Sequence, residues 1–479
     1  MSTTFMMISA GLIVIDLAAC IIIGIKTKGK AANVEDYFIA GKRTGTLLLL
    51  LTAWASFSGA GNFIGHAGRG AMFGASAYWL WLGEGLLGGI LIGYIMAPYL
   101  ARFKYMSMPH YISDYLCGGD ITVRRISGVA SLFPNVVWPG GQIMGLAYVI
   151  QQVFNVDFRV AVIVCGAVFI YYTVNGGLAA VIYADALHGT IQMLFAAAVI
   201  FLGLKTFNFD IAWLGEQVSS IDPKMWNLFA TPKVEIIAGF TVGLLGAISN
   251  PIFWNRAFAA KDVQTARKAY GITFFCNILL VLFIITIGIS TFVIHQEVGD
   301  KALVWLILNK MPPWVGVFLA LGVMAATMSC ADTHLNCAAA NAVVDIIDPE
   351  GKLPEDKGIK YSKIATLLAG IISIFGALYA PFIYRLGIYG YTVCGGVLIP
   401  AFVIGLIMRD RKSKEFKSKM NVVSARIGLG LGVVAAILFE SVPSLYKLLS
   451  GGILPAVIAT SLGILISNMF LKNKCNDTI

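Results

Sequence analysis

Six ionisable side chains stand inside apolar runs of this chain: Asp16, Glu84, Asp185, His188, Asp332 and His334. At the centre of a bilayer each costs about 2.5 kcal/mol or more unless it faces a cavity or a partner, so each marks a place where chemistry is expected. Asp185 and Asp332 are carboxylates set among small residues, and Asp332 belongs to the hydroxyl-rich string Ala325-Ala-Thr-Met-Ser-Cys-Ala-Asp-Thr333. Oxygen-rich ligands suit hard cations. On a helix, Ala326, Ser329, Cys330 and Thr333 fall three or four apart, so the Ala326 carbonyl and the Ser329 and Thr333 hydroxyls share a face. The same hydroxyls serve equally as glue between helices, and spacing alone leaves both readings open.

Other chemistries find no support. The eight cysteines include Cys20, Cys165, Cys276, Cys330, Cys337 and Cys394 in apolar runs, with no C-x-x-C pair and no histidine spacing for zinc, so they read as small buried hydrophobes. P-loop, metalloprotease and nucleophile-elbow patterns are missing, which argues against an enzyme and against ATP-driven pumping. Uphill transport would have to draw on an ion gradient.

The elements that position these residues are membrane helices. The chain is 58% hydrophobic and 13% charged, with a mean hydropathy of +0.81. About thirteen apolar runs are long enough to cross a hydrocarbon core of about 30 Å; they centre within 5–25, 46–66, 74–100, 126–152, 159–174, 179–206, 236–254, 270–294, 313–344, 362–380, 389–408, 424–440 and 451–471. Residues 301–310 look like an amphipathic helix at the surface. Two runs are broken at matching places in the two halves, Thr52 to Gly65 by glycines and Gly243 to Trp254 by Asn250-Pro251. Such breaks free backbone groups that lipid cannot satisfy, so they belong beside a polar cavity, an ion or a solute.

Lys26, Lys28, Lys30, Lys42 and Arg43 follow the first run, and Arg102, Lys104, Arg124 and Arg125 follow the third. Arg256, Lys261, Arg267 and Lys268, then Arg409 to Lys419, continue the alternation. These clusters place the N-terminus outside and the C-terminus in the cytoplasm of the plasma (inner) membrane. That accounts for the net charge of +10 without any nucleic acid. One membrane domain is expected, with no obligate protein partner evident.

Five signatures, in order, resemble the sodium:solute symporter family: Asp36-Tyr-Phe-Ile-Ala-Gly-Lys-Arg43, Phe63-Ile-Gly-His-Ala-Gly68, Tyr172 to Asp185, Asn255-Arg-Ala-Phe-Ala-Ala-Lys261 and Met328-Ser-Cys-Ala-Asp-Thr333. Ala55 to Gly65 is most similar to the pantothenate symporters, and Asn250-Pro251 ahead of Arg256 is similar to pantothenate and proline carriers alike. The resemblance implies an all-α, leucine-transporter-like fold: two inverted five-helix repeats, about 46–206 and 236–408, with extra helices at 5–25, 424–440 and 451–471. It also implies sodium-coupled symport of a small organic solute by alternating access.

Carried over position by position, the family's sodium ligands fall on Ala55, Ser58, Ala326, Ser329 and Cys330. Cys330 departs from the pattern, because the family usually has a hydroxyl there and a thiol is a poor ligand for a hard cation. A second sodium site, or a proton site, falls on Asp185, Ser329, Asp332 and Thr333, with the Asp332 carboxylate where relatives carry a hydroxyl. Two neighbouring carboxylates would bind a cation more strongly or share a proton.

Solute contacts map to Gly59, Asn62, Trp81, Glu84, Trp138, Gln142, Gly243, Gly246 and Ala247, with Phe57 where proline carriers have Asp. Small residues at 243, 246 and 247 depart from the sugar carriers. No Arg or Lys falls on a contact position. Trp81 and Trp138 would also suit interfacial anchoring or packing, and His66, His188 and His334 suit local hydrogen bonds. Gly89/Gly93 and Gly141/Gly145 suit close helix packing. Asp16 has no functional account at this level. A passive channel would show rings of repeated polar groups and a receptor would append a signalling domain; the sequence displays neither.

Overall fold

The computed structural model describes residues 3–27, 44–380, 383–408 and 420–471, except for the side chains at 24, 25, 27, 175–180 and 384. The signature Asp36–Arg43, with Lys28 and Lys30, and the basic run Arg409–Lys419 lie outside the described residues. No strand occurs among the described residues, whose only β feature is an isolated bridge between Thr44 and Ala260.

The peripheral helix α1 covers Thr3–Thr27. The first broken helix consists of α2 (Thr46–Phe57) and α3 (His66–Phe73), joined through the wide turn Gly61–Gly65. Gly74, at φ +56°, turns the chain into the helical run 78–100, α4. Then come α5 (Ile121–Phe154) and α6 (Phe158–Lys205). The second broken helix is α7 (Lys233–Ser249) with α8 (Pro251–Ala259), followed by α9 (Val263–Ile294), α10 (Pro313–Ala340) and α11 (Glu355–Tyr379). The bundle closes with α12 (Ile383–Ile407), α13 (Val422–Ser441) and α14 (Ile453–Leu471).

Among the described residues, ten helical stretches are long and apolar enough to cross a membrane. The shorter apolar helices Thr46–Phe57 and Phe158–Val174, together with α5 and its Arg124, Arg125, Asn135 and Gln142, make up the remaining runs. α6 takes in both runs expected at 159–174 and 179–206, which remain two apolar stretches, Phe158–Val174 and Val181–Lys205. Its start is fixed by Asp157, whose carboxylate accepts from the amides of Arg159 (2.9 Å) and Val160 (3.2 Å). Asp262 caps α9 in the same way through Thr265 N at 2.7 Å.

α5 packs against α6, α10 and α12, α6 packs against α10 as well, and α2 is wedged between α6, α9 and α10. Small residues permit this. A Cβ on Gly145 of α5 would come within 2.4 Å of the Ala60 methyl, and one on Gly70 within 2.3 Å of the Ile285 carbonyl. The helix expected on the surface at 301–310 exists as Ala302–Lys310, but Ala302, Leu303, Val304, Leu306 and Ile307 are all buried. It is packed into the protein because its apolar residues meet α3 and α10 rather than lipid.

Ahead of that helix, Asp300 accepts from the Ile383 amide at 2.7 Å and lies against Gly68, tying α3 to the start of α12. Only 9% exposed, its carboxyl is pushed by burial from the ordinary 3.8 up to about 6, against the pull of the Ile383 amide and Arg69. The folded chain therefore holds this proton to higher pH than the unfolded chain does. The Asp300 contribution to stability is fully present below about pH 4 and is lost as pH rises through about 6, a difference of about 3 kcal/mol. Asp300→Asn should flatten the stability profile between pH 4 and 6 and raise the melting temperature at pH 7; an unchanged profile would show that another group titrates there.

Candidate ion and solute site

α2 ends where Ser58 leaves the helical region (φ −84°, ψ 57°), and the freed amide of Ala60 donates to Gln142 Oε1 at 2.7 Å. Gly59 sits in the break because nothing larger fits: a Cβ would lie 2.3 Å from Gln142 Oε1 and 2.9 Å from Cys330 Sγ. Gln142, expected at the solute, thus caps the break. One turn on, Asn62 is buried and its Nδ2 has no hydrogen-bond partner among the described residues.

At the second break Asn250 Oδ1 accepts from Ile252 N at 3.1 Å, starting α8, while its Nδ2 donates to the Tyr391 hydroxyl at 3.3 Å. The Tyr391 hydroxyl stands 3.5 Å from Glu84 Oε1, and Glu84 Oε2 is 3.6 Å from His66 Nε2. The Tyr391 ring stacks on Trp138, with centroids 5.1 Å apart. Trp138 Nε1 in turn donates to Cys330 Sγ at 3.2 Å. Gly59, Gln142, Cys330, Trp138, Tyr391 and Glu84 are therefore linked through direct contacts.

Three expected contact residues, Trp81, Phe57 and Ala247, lie elsewhere. Trp81 donates to the Ile278 carbonyl at 3.3 Å and packs with Phe207, Leu214 and Val281. Phe57 packs between Phe253 and Phe274, at 4.8 and 5.3 Å, in the core cluster that also holds Ala247. Gly243 lets α7 approach α4, where a Cβ would be 2.4 Å from the Leu80 carbonyl; Gly246 is where the Tyr391 ring rests.

Among the expected sodium ligands, the Ser329 hydroxyl donates to the carbonyls of Ala55 (2.8 Å) and Ala325 (2.9 Å). Ala325, one residue before the expected Ala326, is the α10 carbonyl turned to this cluster. Gln192 Nε2 completes it, 3.3 Å from Ala55 O, 3.1 Å from Ala325 O and 3.0 Å from Ser329 Oγ. Ser58 is expected to offer its carbonyl; its Oγ accepts from Asn277 Nδ2 at 3.4 Å. The Cys330 thiol faces Trp138.

Asp185 meets a positive charge of the chain itself. Arg256 Nη2 donates to Asp185 Oδ2 at 2.8 Å and to Thr333 Oγ1 at 2.9 Å, and also to Ser56 Oγ. Arg256 Nε donates to Thr52 Oγ1 at 3.2 Å, and Thr52 and Ser56 donate to Asp185 at 2.6 and 3.1 Å. Arg256, which the sequence places with the cytoplasmic loop charges, is only 6% exposed. It is held inside because Asp185 offsets its charge. Neither oxygen of Asp332 has a hydrogen-bond partner among the described residues. His334 Nδ1 lies 2.8 Å from Asn135 Oδ1. His188 Nε2 lies 3.1 Å from Asp16 Oδ2 and 3.4 Å from Cys20 Sγ, which supplies a partner for Asp16.

A cavity of about 350 Å³ is lined by Arg69, Trp79, Leu80, Glu235, Arg385 and Lys447, among others. A second cavity, bordered by Thr52, Arg256 and Thr333, is only about 30 Å³. The sequence reading missed Arg256, Gln192 and Tyr391. A pointer existed for Arg256, which follows the Asn250-Pro251 break by little more than a turn. Nothing in the sequence singles out Gln192 or Tyr391.

Arg256→Met should leave Asp185 buried and unpaired and destabilise the protein by about 3–5 kcal/mol. Adding Asp185→Asn should recover most of that loss, because the amide removes the orphaned charge. Thermal melts of the purified single and double variants decide: equal melting temperatures for both would mean the pair is not coupled.

The sodium:solute symporter family profile matches residues 37–436. The osmoregulated proline transporter OpuE of Bacillus subtilis (strain 168) is 22% identical, over 92% of each chain. The sodium/iodide cotransporter of Homo sapiens is 24% identical, over 86% of this chain and 65% of its own length. Among solved structures, a Na+-coupled sialic acid symporter in a substrate-bound outward-open state superposes with a TM-score of 0.75 at 17% identity, covering 97% of both chains. MhsT in complex with L-phenylalanine gives a TM-score of 0.55 at 15% identity, over 89% of this chain and 98% of that one. These likenesses establish a leucine-transporter-like fold. The chain belongs to the sodium:solute symporter family.

Proposed function

We propose that this protein is a sodium-coupled secondary active symporter that imports a small organic solute bearing a carboxylate, such as an amino acid or a vitamin, by alternating access in the plasma membrane. The observation that carries the reading is the cluster of Ala55 O, Ala325 O and Ser329 Oγ, where the first broken helix meets α10. Three neutral oxygens converging beside a helix break fit a hard monovalent cation. Trp138, Tyr391 and Glu84 border the solute place, one residue along α10 through Cys330.

The unequal cavities support alternating access. A cavity of about 350 Å³ lies beside Arg69, Arg385 and Lys447, against one of about 30 Å³ beside Arg256. On the orientation that the basic loops imply, with the N-terminus outside, the larger cavity faces outward. Its cationic residues would draw an anionic solute inward. The second cation site is better read as filled by the Arg256 guanidinium, which contacts Asp185 and Thr333.

The carboxyl of Asp332, without a hydrogen-bond partner among the described residues, favours a second reading, in which a proton takes part. Uptake into proteoliposomes should depend on an inward sodium gradient and not on a potassium gradient, with carboxylates, amino acids, vitamins and quaternary amines screened as solutes. Trp138→Ala should reduce solute affinity tenfold or more while sodium still raises the melting temperature. Sodium-independent uptake that grows as external pH falls, and loses that growth in Asp332→Asn, would replace sodium by the proton.

A further inference from the structure

Gln192 is fully buried on α6, seven positions after Asp185 and so on the same face of the helix. Its Nε2 stands within 3.0–3.3 Å of three oxygens, Ala55 O, Ala325 O and Ser329 Oγ. Its Oε1 has no partner among the described residues. The arrangement is lopsided: one end of the amide has three acceptors for its two hydrogens, while the other end is buried with none of the hydrogen bonds a carbonyl seeks. The Ser329 hydroxyl has one hydrogen to share between the Ala55 and Ala325 carbonyls, so the three crowded oxygens still repel one another unless something more that is positive lies beside them. The amide –NH2 supplies that positive edge.

An amide is almost symmetric in shape, and the last torsion of Gln is broad and roughly two-fold, so a half-turn exchanges Nε2 for Oε1 at little steric cost. With Oε1 turned in, the cluster becomes four neutral oxygens, a set that repels itself when empty and suits a hard cation when filled. The cluster also lacks the oxygen that position 330 would bring, because Cys330 carries sulfur and turns it to Trp138 Nε1 at 3.2 Å. Gln192 Oε1 is the buried acceptor placed to make up the deficit.

We infer that the Gln192 side-chain amide is the switch of the ion seat: its –NH2 holds the three oxygens when sodium is absent, and it turns its Oε1 in as a ligand when sodium enters. The inference rests on the sodium reading of this cluster and adds a residue from α6 to it. Sodium entry then displaces Gln192 Nε2 from these three oxygens and pulls on α6 as well as on α2 and α10. The amide makes ion affinity a competition, since sodium must displace a group that already satisfies the seat.

The test uses the purified full chain, with melting temperature titrated against sodium chloride at constant ionic strength in potassium or choline chloride. For the wild-type chain sodium should raise the melting temperature. Gln192→Leu, close in volume but without polar atoms, should melt lower in the absence of sodium and need tenfold or more sodium for half its shift. Gln192→Glu, which offers oxygen at both ends, should need at least tenfold less sodium than the wild type. A Gln192→Leu midpoint that is unchanged or lower would overturn the inference, because the amide would then be only a plug. Should that variant fail to fold, an unchanged midpoint in Gln192→Glu would overturn it instead. A wild-type chain indifferent to sodium would defeat the sodium reading itself, an outcome distinct from a responsive wild type with unresponsive Gln192 variants.

Discussion

The buried guanidinium of Arg256 is the constraint around which the interior is arranged. It reaches Thr52 and Ser56 on α2, Asp185 on α6 and Thr333 on α10, so one side chain from α8 ties together four helices. Desolvating such a pair costs roughly what its attraction returns, and the ion pair alone explains little net stability. What it fixes is arrangement. A guanidinium has five donors in a rigid fork, and three hydroxyls and a carboxylate must stand at set places to satisfy it. Those places set how α2 lies against α10, and the same contact brings Ala55 to Ser329 one turn further along.

The helix breaks depend on that arrangement. Once α2 is held against α6 and α10, its continuation must bend past α5, and the bend is possible only where Gly59 leaves room for Gln142 and Cys330. The freed amide is then satisfied by Gln142 rather than by water, in keeping with the rule that irregular backbone at membrane depth needs protein partners. Asn250 does the corresponding work at the second break, capping α8 and holding Tyr391. Both breaks are therefore closed by amide side chains from the bundle itself.

The fold class and the breaks were legible in the sequence, because apolar run length and Gly or Pro interruption are local signals. The placement of side chains was less so. Asp185 and Asp332 look equivalent along the chain, yet one faces Arg256 and the other has no partner among the described residues. Which face each occupies depends on helix rotation against neighbours distant in sequence. Arg256 was misplaced for a related reason: charge counting assigns it to a loop, whereas a carboxylate 71 positions earlier holds it inside. Trp81 and Trp138 look alike in sequence, but only Trp138 stacks on Tyr391, from α12. Pairings of such long range leave no periodic trace.

Adjacent residues of α10 face two different partners, and this is where ion and solute would meet. Ser329 turns to Ala55 and Gln192, while Cys330 turns to Trp138 and the glycine of the break. Successive side chains on a helix point about 100° apart, so a rotation or shift of α10 that improves one contact must disturb the other. Filling the oxygen cluster would hold Ser329 in place and with it the sulfur against which Trp138 rests. In the proposed mechanism coupling thus requires no long pathway, since ion and solute bear on neighbouring positions of one helix and each biases the orientation that the other needs.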